Sequence, residues 1–79
     1  MSLFSQRLCE LRKKQGISQA ALAQELGIAL RAYQYYERGQ RDPQLSVAVS
    51  IADFYKISLD YLVGRSDFPD LDVPPRGWQ

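Results

Sequence analysis

Residues 17–39 have the sequence ISQAALAQELGIALRAYQYYERG, the pattern of two short amphipathic helices joined at one glycine. Ser18 can cap the first helix, because its side-chain oxygen can accept from an orphan backbone N–H. Gly27 supplies the turn, since glycine takes positive φ without a Cβ clash. The first helix places apolar residues at the spacing that buries one face, namely Leu22, Ala23 and Leu26. We therefore predict helices over about residues 18–26 and 29–38.

The rest of the chain has helical periodicity too, so the predicted fold is all-α with five helices. An apolar stripe predicts a first helix from about residue 2 to residue 14, ended by Gly16. Beyond Pro43 a fourth helix is predicted to end near Tyr55, and Ser58 is placed to cap a short fifth. The apolar positions are Phe4, Leu8 and Leu11 in the first helix, Leu45, Val49, Ala52 and Phe54 in the fourth, and Leu59 and Leu62 in the fifth.

The composition changes at Ser66. The last fourteen residues contain three prolines and three aspartates, and such a segment cannot bury enough apolar surface to fold. Proline also biases the residue before it away from helix. We therefore predict one domain over residues 1–65 and an extended, acidic, proline-rich tail over residues 66–79.

Charge is divided unevenly along the chain. The net charge is only +1, but residues 1–41 carry seven basic and three acidic side chains, whereas residues 42–79 carry three basic and six acidic ones. A basic half opposite an acidic end would orient the domain towards phosphates. The alternative for Arg12, Lys13 and Lys14 is a solvated helix end favoured by the helix dipole.

Several function classes lack the residues that they need. The chain has no histidine and a single cysteine, Cys9, so an internal disulfide and the familiar zinc-site spacings are impossible. We interpret Cys9 as a helix-packing residue and expect neither metal nor cofactor. The sequence contains neither a nucleophile paired with a base nor a phosphate-binding glycine loop, so we do not expect an enzyme. We find no apolar run near the roughly 20 residues that span a bilayer and no secretory leader, so we expect no membrane partner and a cytoplasmic protein.

Six short motifs are similar to those of one known family. They are Ser18-Gln19, Leu22-Ala23, Gly27-Ile28, Tyr36-Glu37-Arg38-Gly39, Arg41-Asp42-Pro43 and the segment 58–64. Over residues 3–64 the chain resembles the lambda-repressor-like helix-turn-helix family, of the Cro and xenobiotic-response-element type. The resemblance implies a compact five-helix domain that binds double-stranded DNA, associated with the nucleoid of a bacterium or encoded by a phage.

The resemblance also implies which side chains meet the bases. A major groove admits one α-helix and shows a distinct pattern at each base pair, so the second helix of the pair is the recognition helix. Its outward positions are Leu30, Arg31, Gln34 and Tyr35. Arg31 can bind guanine and Gln34 can bind adenine, whereas Leu30 packs on a thymine methyl group, on sugar or laterally within the domain. Tyr33 and Tyr36 correspond to inward positions of the family and are assigned to the core.

Phosphate contacts and one ion pair follow from the same resemblance. The predicted phosphate-contacting residues are Ser18, Gln19, Arg38 and Arg41. The family pairs a glutamate at the position of Glu37 with an arginine on the first helix, which is Arg12 here. Ala29 departs from the family, which usually has Ser or Thr at this N-cap, and the missing cap is worth about 1 kcal/mol.

The family usually acts as a homodimer on a pseudo-palindrome. Candidate interface residues are apolar groups beyond the five-helix core, namely Tyr61, Val63, Phe68, Leu71 and Trp78. The alternative is that Phe68 and Leu71 fold back on their own domain.

The leading hypothesis is a sequence-specific transcriptional regulator that binds a palindromic operator as a dimer. It would be a repressor of a phage, mobile-element or restriction-modification control region. The alternative is an antitoxin-like interaction module, whose acidic tail binds a protein partner while the domain regulates its own promoter. Deleting residues 66–79 separates the two, because DNA binding survives that deletion under the first hypothesis and partner binding vanishes under the second.

Overall fold

The computed structural model describes residues 3–70, which form five α-helices and contain no strand. In chain order the helices are α1 (Leu3–Gln15), α2 (Gln19–Leu26), α3 (Leu30–Arg38), α4 (Leu45–Tyr55) and α5 (Leu59–Leu62). The predicted all-α architecture of five helices is confirmed. Ser2, the predicted start of α1, and residues 71–79 lie outside the described residues. No described helix is long and apolar enough to cross a membrane.

One apolar core lies between the five helices. Each helix contributes residues at helical spacing, so the periodicity that predicts a helix also selects its buried face. The fully buried apolar residues are Leu8, Leu22, Tyr33, Ile51 and Leu62. Tyr36 is only partly buried but packs against the same cluster. Both inward tyrosines of α3 therefore belong to the core, as predicted.

Helix α4 is present, but only part of its predicted apolar face is buried. Ala52 is buried as predicted and Phe54 packs against the core, whereas Leu45 and Val49 expose 71% and 40% of their surface. Ala48 and Ile51 enter the core in their place. Most residues of α4 are apolar all round, so spacing alone does not decide which side faces inward, and packing against the neighbouring helices decides it.

The turn between α2 and α3 is built by Gly27. Its φ of 70° is left-handed, and the next N–H, that of Ile28, donates to the Ala23 carbonyl at 3.0 Å. At the other end of α2, the Ser18 hydroxyl accepts from the Ala21 N–H at 3.0 Å. Both predicted caps are therefore present, and together they set the length of α2 and the direction in which α3 leaves it.

Ser18 and Ala29 are the N-caps of α2 and α3, as predicted, and both have extended backbone. The first helical residues are therefore Gln19 and Leu30. Ala29 makes no side-chain hydrogen bond to the first turn of α3, because it has no oxygen to accept with. Helix α3 therefore starts without a side-chain cap.

A buried cation, Arg7, lies on the apolar side of α1, and sequence reasoning missed it. Its guanidinium donates to the main-chain carbonyls of Tyr61 and Ser66, the second at 2.8 Å. It also lies 4.0 Å from the centroid of the Tyr61 ring. Arg7 follows Phe4 by three positions, so a charge at helical spacing on the apolar stripe was the available signal.

Residues 66–70 return to the domain. The Ser58 N–H donates to the Pro69 carbonyl at 2.9 Å, and the Ser58 hydroxyl donates to the Phe68 carbonyl at 3.3 Å. Together with the Arg7 bond to Ser66, these contacts attach the segment to α1 and to the start of α5. Phe68 nevertheless exposes 64% of its surface.

Candidate nucleic-acid interface

Helix α3 buries one face and exposes the other. Tyr33 and Glu37, one turn apart, are buried, and α3 packs against α1 and α2. The four predicted base-reading residues all lie outside the core: Leu30, Arg31, Gln34 and Tyr35. Leu30 exposes 41% of its surface, so much of its side chain is accessible to a ligand.

A buried ion pair joins α1 to α3. Arg12 Nε donates to Glu37 Oε2 at 2.8 Å and Arg12 Nη2 donates to Glu37 Oε1 at 2.9 Å, so the contact is bidentate. The third nitrogen, Nη1, donates to the carbonyl of Ile17 at 3.0 Å. The two side chains are only 14% and 7% exposed. Glu37 is thus turned away from the exposed face, and the pair fixes α3 relative to α1.

The surroundings of Glu37 keep it charged. Burial would raise the pKa of Glu37, but hydrogen bonds from Arg12 and Gln19 and the nearby Tyr33 hydroxyl outweigh burial and lower the pKa to about 2. The hydrogen bond to Glu37 raises the pKa of Arg12. Burial raises the pKa of Tyr33, and the Glu37 carboxylate raises it further. At neutral pH the pair is therefore ionised and Tyr33 is protonated.

Glu37 is also linked to the exposed face through two glutamines. Gln19 Nε2 donates to Glu37 Oε1 at 3.2 Å, and Gln34 Nε2 donates to Gln19 Oε1 at 3.3 Å. One predicted phosphate contact and one predicted base contact therefore touch each other. We call the four connected residues, Arg12, Glu37, Gln19 and Gln34, the polar relay. Sequence reasoning predicted the ion pair but missed the link between the glutamines, whose contacts with phosphate and base stay predictions.

Exposed cations lie on α3 and just after it. Among residues 3–70, ion pairs are formed by Arg7, Arg12 and Arg65. No carboxylate of that region pairs with the exposed cations Arg31, Arg38 and Arg41. The Arg41 guanidinium lies 4.6 Å from the centroid of the Tyr35 ring, so a predicted phosphate contact and a predicted base contact are stacked together. These cations are free to meet an anionic ligand.

The end of α1 is divided between two environments. Lys13 and Lys14 are exposed in its last turn, where the helix dipole favours positive charge. Arg12 belongs to the polar relay. The solvated-end alternative thus describes the two lysines but not the arginine.

The predicted dimer-interface residues are distributed over several surfaces. Tyr61 is half-buried beneath Arg7, Val63 and Phe68 are exposed, and Leu71 and Trp78 lie outside the described residues. Val63 also lines an apolar groove that sequence reasoning missed. The groove is lined by Leu3, Phe4, Asp42, Pro43, Leu45, Ala48 and Val63.

Across the part of the chain that the structure describes, no group of three or more His, Cys, Asp or Glu residues could hold a metal ion. The lone Cys9 of α1 is half-buried. It lies beside Glu37, whose pKa it helps to lower.

A model of the helix-turn-helix family matches residues 10–62. The chain belongs to the helix-turn-helix family. Its members of the Cro/C1, lambda-repressor-like type include phage repressors, and the matched span covers α2, the glycine turn and α3. Within this helix-turn-helix, α3 is the second helix of the pair.

Two curated relatives and one solved structure illustrate the helix-turn-helix assignment. The chain is 38% identical over 71 residues to an uncharacterised helix-turn-helix-type transcriptional regulator, YobD, of Bacillus subtilis, matching 90% of this chain and 63% of that protein. It is 43% identical over 62 residues to the cryptic phage CTXphi transcriptional repressor RstR of Vibrio cholerae, matching 78% of this chain and 55% of that protein. The chain therefore spans little more than half the length of these relatives.

The solved structure is a crystal structure of the P22 c2 repressor protein in complex with a synthetic operator. Its TM-score to this chain is 0.76 with 29% sequence identity, and the match covers 84% of this chain and 100% of that one. The arrangement of five helices is therefore that of a phage repressor captured on DNA. The curated relatives are named as transcriptional regulators or repressors, and none of them is named as an enzyme.

Proposed function

We propose that this chain is a sequence-specific, double-stranded-DNA-binding transcriptional regulator, and that it represses a phage, mobile-element or restriction-modification control region in a bacterial cytoplasm. The observation that carries the proposal is the exposed face of α3, held in place by a buried ion pair and flanked by unpaired cations. RstR and the P22 c2 protein are repressors by name, and their similarity to this chain supports repression over activation.

The mechanism assigns base reading to α3. Arg31 offers the paired donors that bind N7 and O6 of guanine. Gln34 offers a donor and an acceptor, which suit N6 and N7 of adenine. Leu30 offers only apolar surface, which suits a thymine methyl group. Each bidentate contact would discriminate against the wrong base by about 1–3 kcal/mol.

Phosphate contacts set the position of α3 in the groove. Ser18 and Gln19 lie at the start of α2, where free backbone N–H groups and the helix dipole attract an anion. Arg38 ends α3 and Arg41 follows it, so phosphates would be contacted from the start of α2 and from the end of α3. Stacking of Arg41 on Tyr35 restrains that guanidinium beside the helix before DNA arrives.

A homodimer is the proposed binding unit, because two half-sites about one helical turn apart need two recognition helices. The apolar groove, whose lining includes the exposed Val63 and Leu45, is the surface that supports it, since exposed contiguous apolar area marks a partner site. Tyr61 and Phe68, which the sequence analysis also names as candidate interface residues, lie on α5 and just beyond it and do not line the groove. Analytical ultracentrifugation of the wild-type protein and of Leu45→Glu tests this surface. If the groove forms the dimer interface, the wild-type protein should sediment as a dimer and Leu45→Glu as a monomer.

In-vitro selection of random duplex DNA on the purified protein tests the whole proposal. At about 150 mM salt non-specific binding is weak, typically about 10⁻⁴–10⁻⁶ M. We expect an enriched palindrome whose half-sites lie about one helical turn apart. Failure to enrich any motif contradicts sequence-specific binding. An enriched single half-site contradicts the dimer alone.

The antitoxin-like alternative keeps one supporting observation, the exposed Phe68 beside the acidic end of the chain. Its test uses a shorter deletion than 66–79, because the carbonyls of Ser66 and Pro69 are bonded to Arg7 and Ser58. Truncation after Asp70 combined with Phe68→Ser removes the exposed ring but keeps those bonds, which use main-chain carbonyls. DNA binding that survives this change favours the regulator, and a protein partner lost with it favours the interaction module.

A further inference from the structure

The polar relay fixes which way each of its amides faces. Glu37 is an ionised carboxylate and can only accept hydrogen bonds, so Gln19 must turn its NH2 group towards it. The oxygen of Gln19 then faces Gln34, from which it accepts at 3.3 Å. Gln34 must in turn present its own NH2 group to Gln19. The buried ion pair thus sets the orientation of the Gln34 amide on the exposed face of α3, through the amide of Gln19.

The relay leaves Gln34 with one particular pair of free groups. A side-chain amide has two N–H donors and an accepting oxygen, and one N–H of Gln34 is used by Gln19. One N–H and the oxygen remain. In the major groove adenine offers one acceptor and one donor, whereas guanine offers two acceptors, N7 and O6. The free groups of Gln34 match adenine, and against guanine its oxygen meets an acceptor.

We propose that the polar relay makes Gln34 a discriminator between adenine and guanine, with Gln19 as the positioning residue. The inference rests on the proposed DNA-binding function and deepens it. Without Gln19, the terminal torsion of Gln34 is free, and both of its N–H groups can turn towards the two guanine acceptors. A glutamine held by the relay therefore reads a narrower set of bases than a glutamine alone.

The neighbouring residues of α3 leave this task to Gln34. Leu30 has no hydrogen-bonding side chain, and Arg31 carries donors only, so it suits guanine. Gln34 carries the amide on the exposed face of α3, and its partner Gln19 lies on α2, 15 positions earlier in the chain. Adenine preference is therefore encoded by two helices together.

The test compares binding to duplexes that differ only at the base pair whose preference Gln34→Ala erases. Gln19→Met removes the amide at similar length and leaves the Ser18 cap in place. Gln24→Met makes the same change at an exposed position of α2 and is the matched control. We expect the wild-type protein and Gln24→Met to favour adenine over guanine by about tenfold or more.

Gln19→Met is expected to reduce that ratio to less than about threefold, while its binding to both duplexes weakens because a phosphate contact is lost. The double variant Gln19→Met/Gln34→Ala should show the ratio of Gln34→Ala alone, since coupled residues are not additive. An adenine preference that survives Gln19→Met overturns the proposal.

A second measurement requires no DNA. The two side-chain N–H protons of every glutamine give separate signals in ¹H–¹⁵N spectra, and in the free protein the hydrogen bond to Gln19 moves one of the Gln34 signals downfield. That signal should return to the position of an unbonded glutamine amide in Gln19→Met, which changes the separation of the two signals, and it should stay unchanged in Gln24→Met. An unchanged separation in Gln19→Met overturns the relay even if DNA binds. Failure of the wild-type protein to bind any duplex, with the amide signals as expected, overturns the proposed function and the DNA role of the relay with it.

Discussion

The guanidinium of Arg7 lies 4.0 Å from the centroid of the Tyr61 ring and donates to the Tyr61 carbonyl. Arg7 is 9% exposed, and a buried cation is tolerated only where acceptors and an aromatic face replace water. Its bond to the Ser66 carbonyl, at 2.8 Å, extends the contact beyond α5. One side chain of α1 therefore connects the first helix to the last and to the segment that follows.

Arg7→Met is expected to lower the free energy of unfolding by about 2–3 kcal/mol, because two carbonyls lose a charged donor. The matched control is Arg65→Met, since Arg65 lies 4.0 Å from Asp60 with side chains 78% and 63% exposed. Such an exposed pair contributes little, so the control should change stability by less than about 0.5 kcal/mol. Urea unfolding measures both, and equal effects would contradict the assigned role of Arg7.

Acid should destabilise the protein through Glu37. Its pKa is lowered from an ordinary 4.5 to about 2 in the folded state, so its stabilising effect is present above the ordinary pKa and is lost as pH falls from about 5 to 2. The shift corresponds to about 3 kcal/mol. Thermal melts between pH 7 and pH 2 measure this loss. Glu37→Gln should be less stable than the wild-type protein at pH 7, and its stability should depend less on pH between 7 and 2.

Glu25→Gln is the control for the acid transition, because Glu25 is an exposed carboxylate of α2. It should keep the wild-type dependence on pH. If Glu25→Gln and Glu37→Gln flatten the profile equally, the buried pair is not the source.

Restoring a cap at the start of α3 should stabilise the protein. Ala29 has the extended backbone of an N-cap but no side-chain bond to the first turn. Ala29→Thr is expected to add about 1 kcal/mol, which raises Tm by roughly 4–8 °C for a domain of this size. Ala29→Val has nearly the same shape without the hydroxyl and should add nothing. A gain shared by both variants would show that shape, rather than capping, is responsible.

Gly64 should tolerate no side chain. A Cβ placed there would lie 2.9 Å from Leu3 Cδ2 and 3.1 Å from Leu3 Cβ, at a φ of 89°. Gly16 also has positive φ, at 73°, but its Cβ would meet nothing within 4 Å. Gly16→Ala therefore isolates the backbone strain, and Gly64→Ala should cost about 1–3 kcal/mol more than Gly16→Ala through overpacking. Similar melting temperatures for the two variants would rule out the close contact with Leu3.

Two arginines near α3 should respond differently to removal. Arg31→Ala is expected to relax preference at one base pair in each half-site, because Arg31 is assigned to guanine. Arg38→Ala should weaken binding evenly over all sequences and reduce the salt slope by about one unit, as the loss of a phosphate contact does. Titration of selected and scrambled duplexes at several salt concentrations separates the two. If Arg31→Ala instead lost affinity equally for all sequences, Arg31 would contact phosphate rather than a base.

The contrast between α2 and α4 shows where prediction from sequence works. In α2, Ser18 and Gly27 specify both ends, and the apolar residues occupy one face, so helix, caps and buried side were all predicted. In α4 the apolar residues surround the helix, and Leu45 was expected on the apolar stripe although it exposes 71% of its surface. Periodicity identifies a helix of this kind but leaves its rotation to the neighbouring elements.

The sequence by itself determined the five helices, the capping of α2, the turn at Gly27 and, through a family resemblance, the ion pair of Arg12 with Glu37. Capping and helical periodicity act between residues a few positions apart, so a linear sequence displays them. Only the tertiary structure decided that Arg7 holds Tyr61 and that Gln19 holds Gln34. Those contacts join residues 54 and 15 positions apart, and their existence depends on how helices approach one another, which the spacing of residues along the chain does not encode.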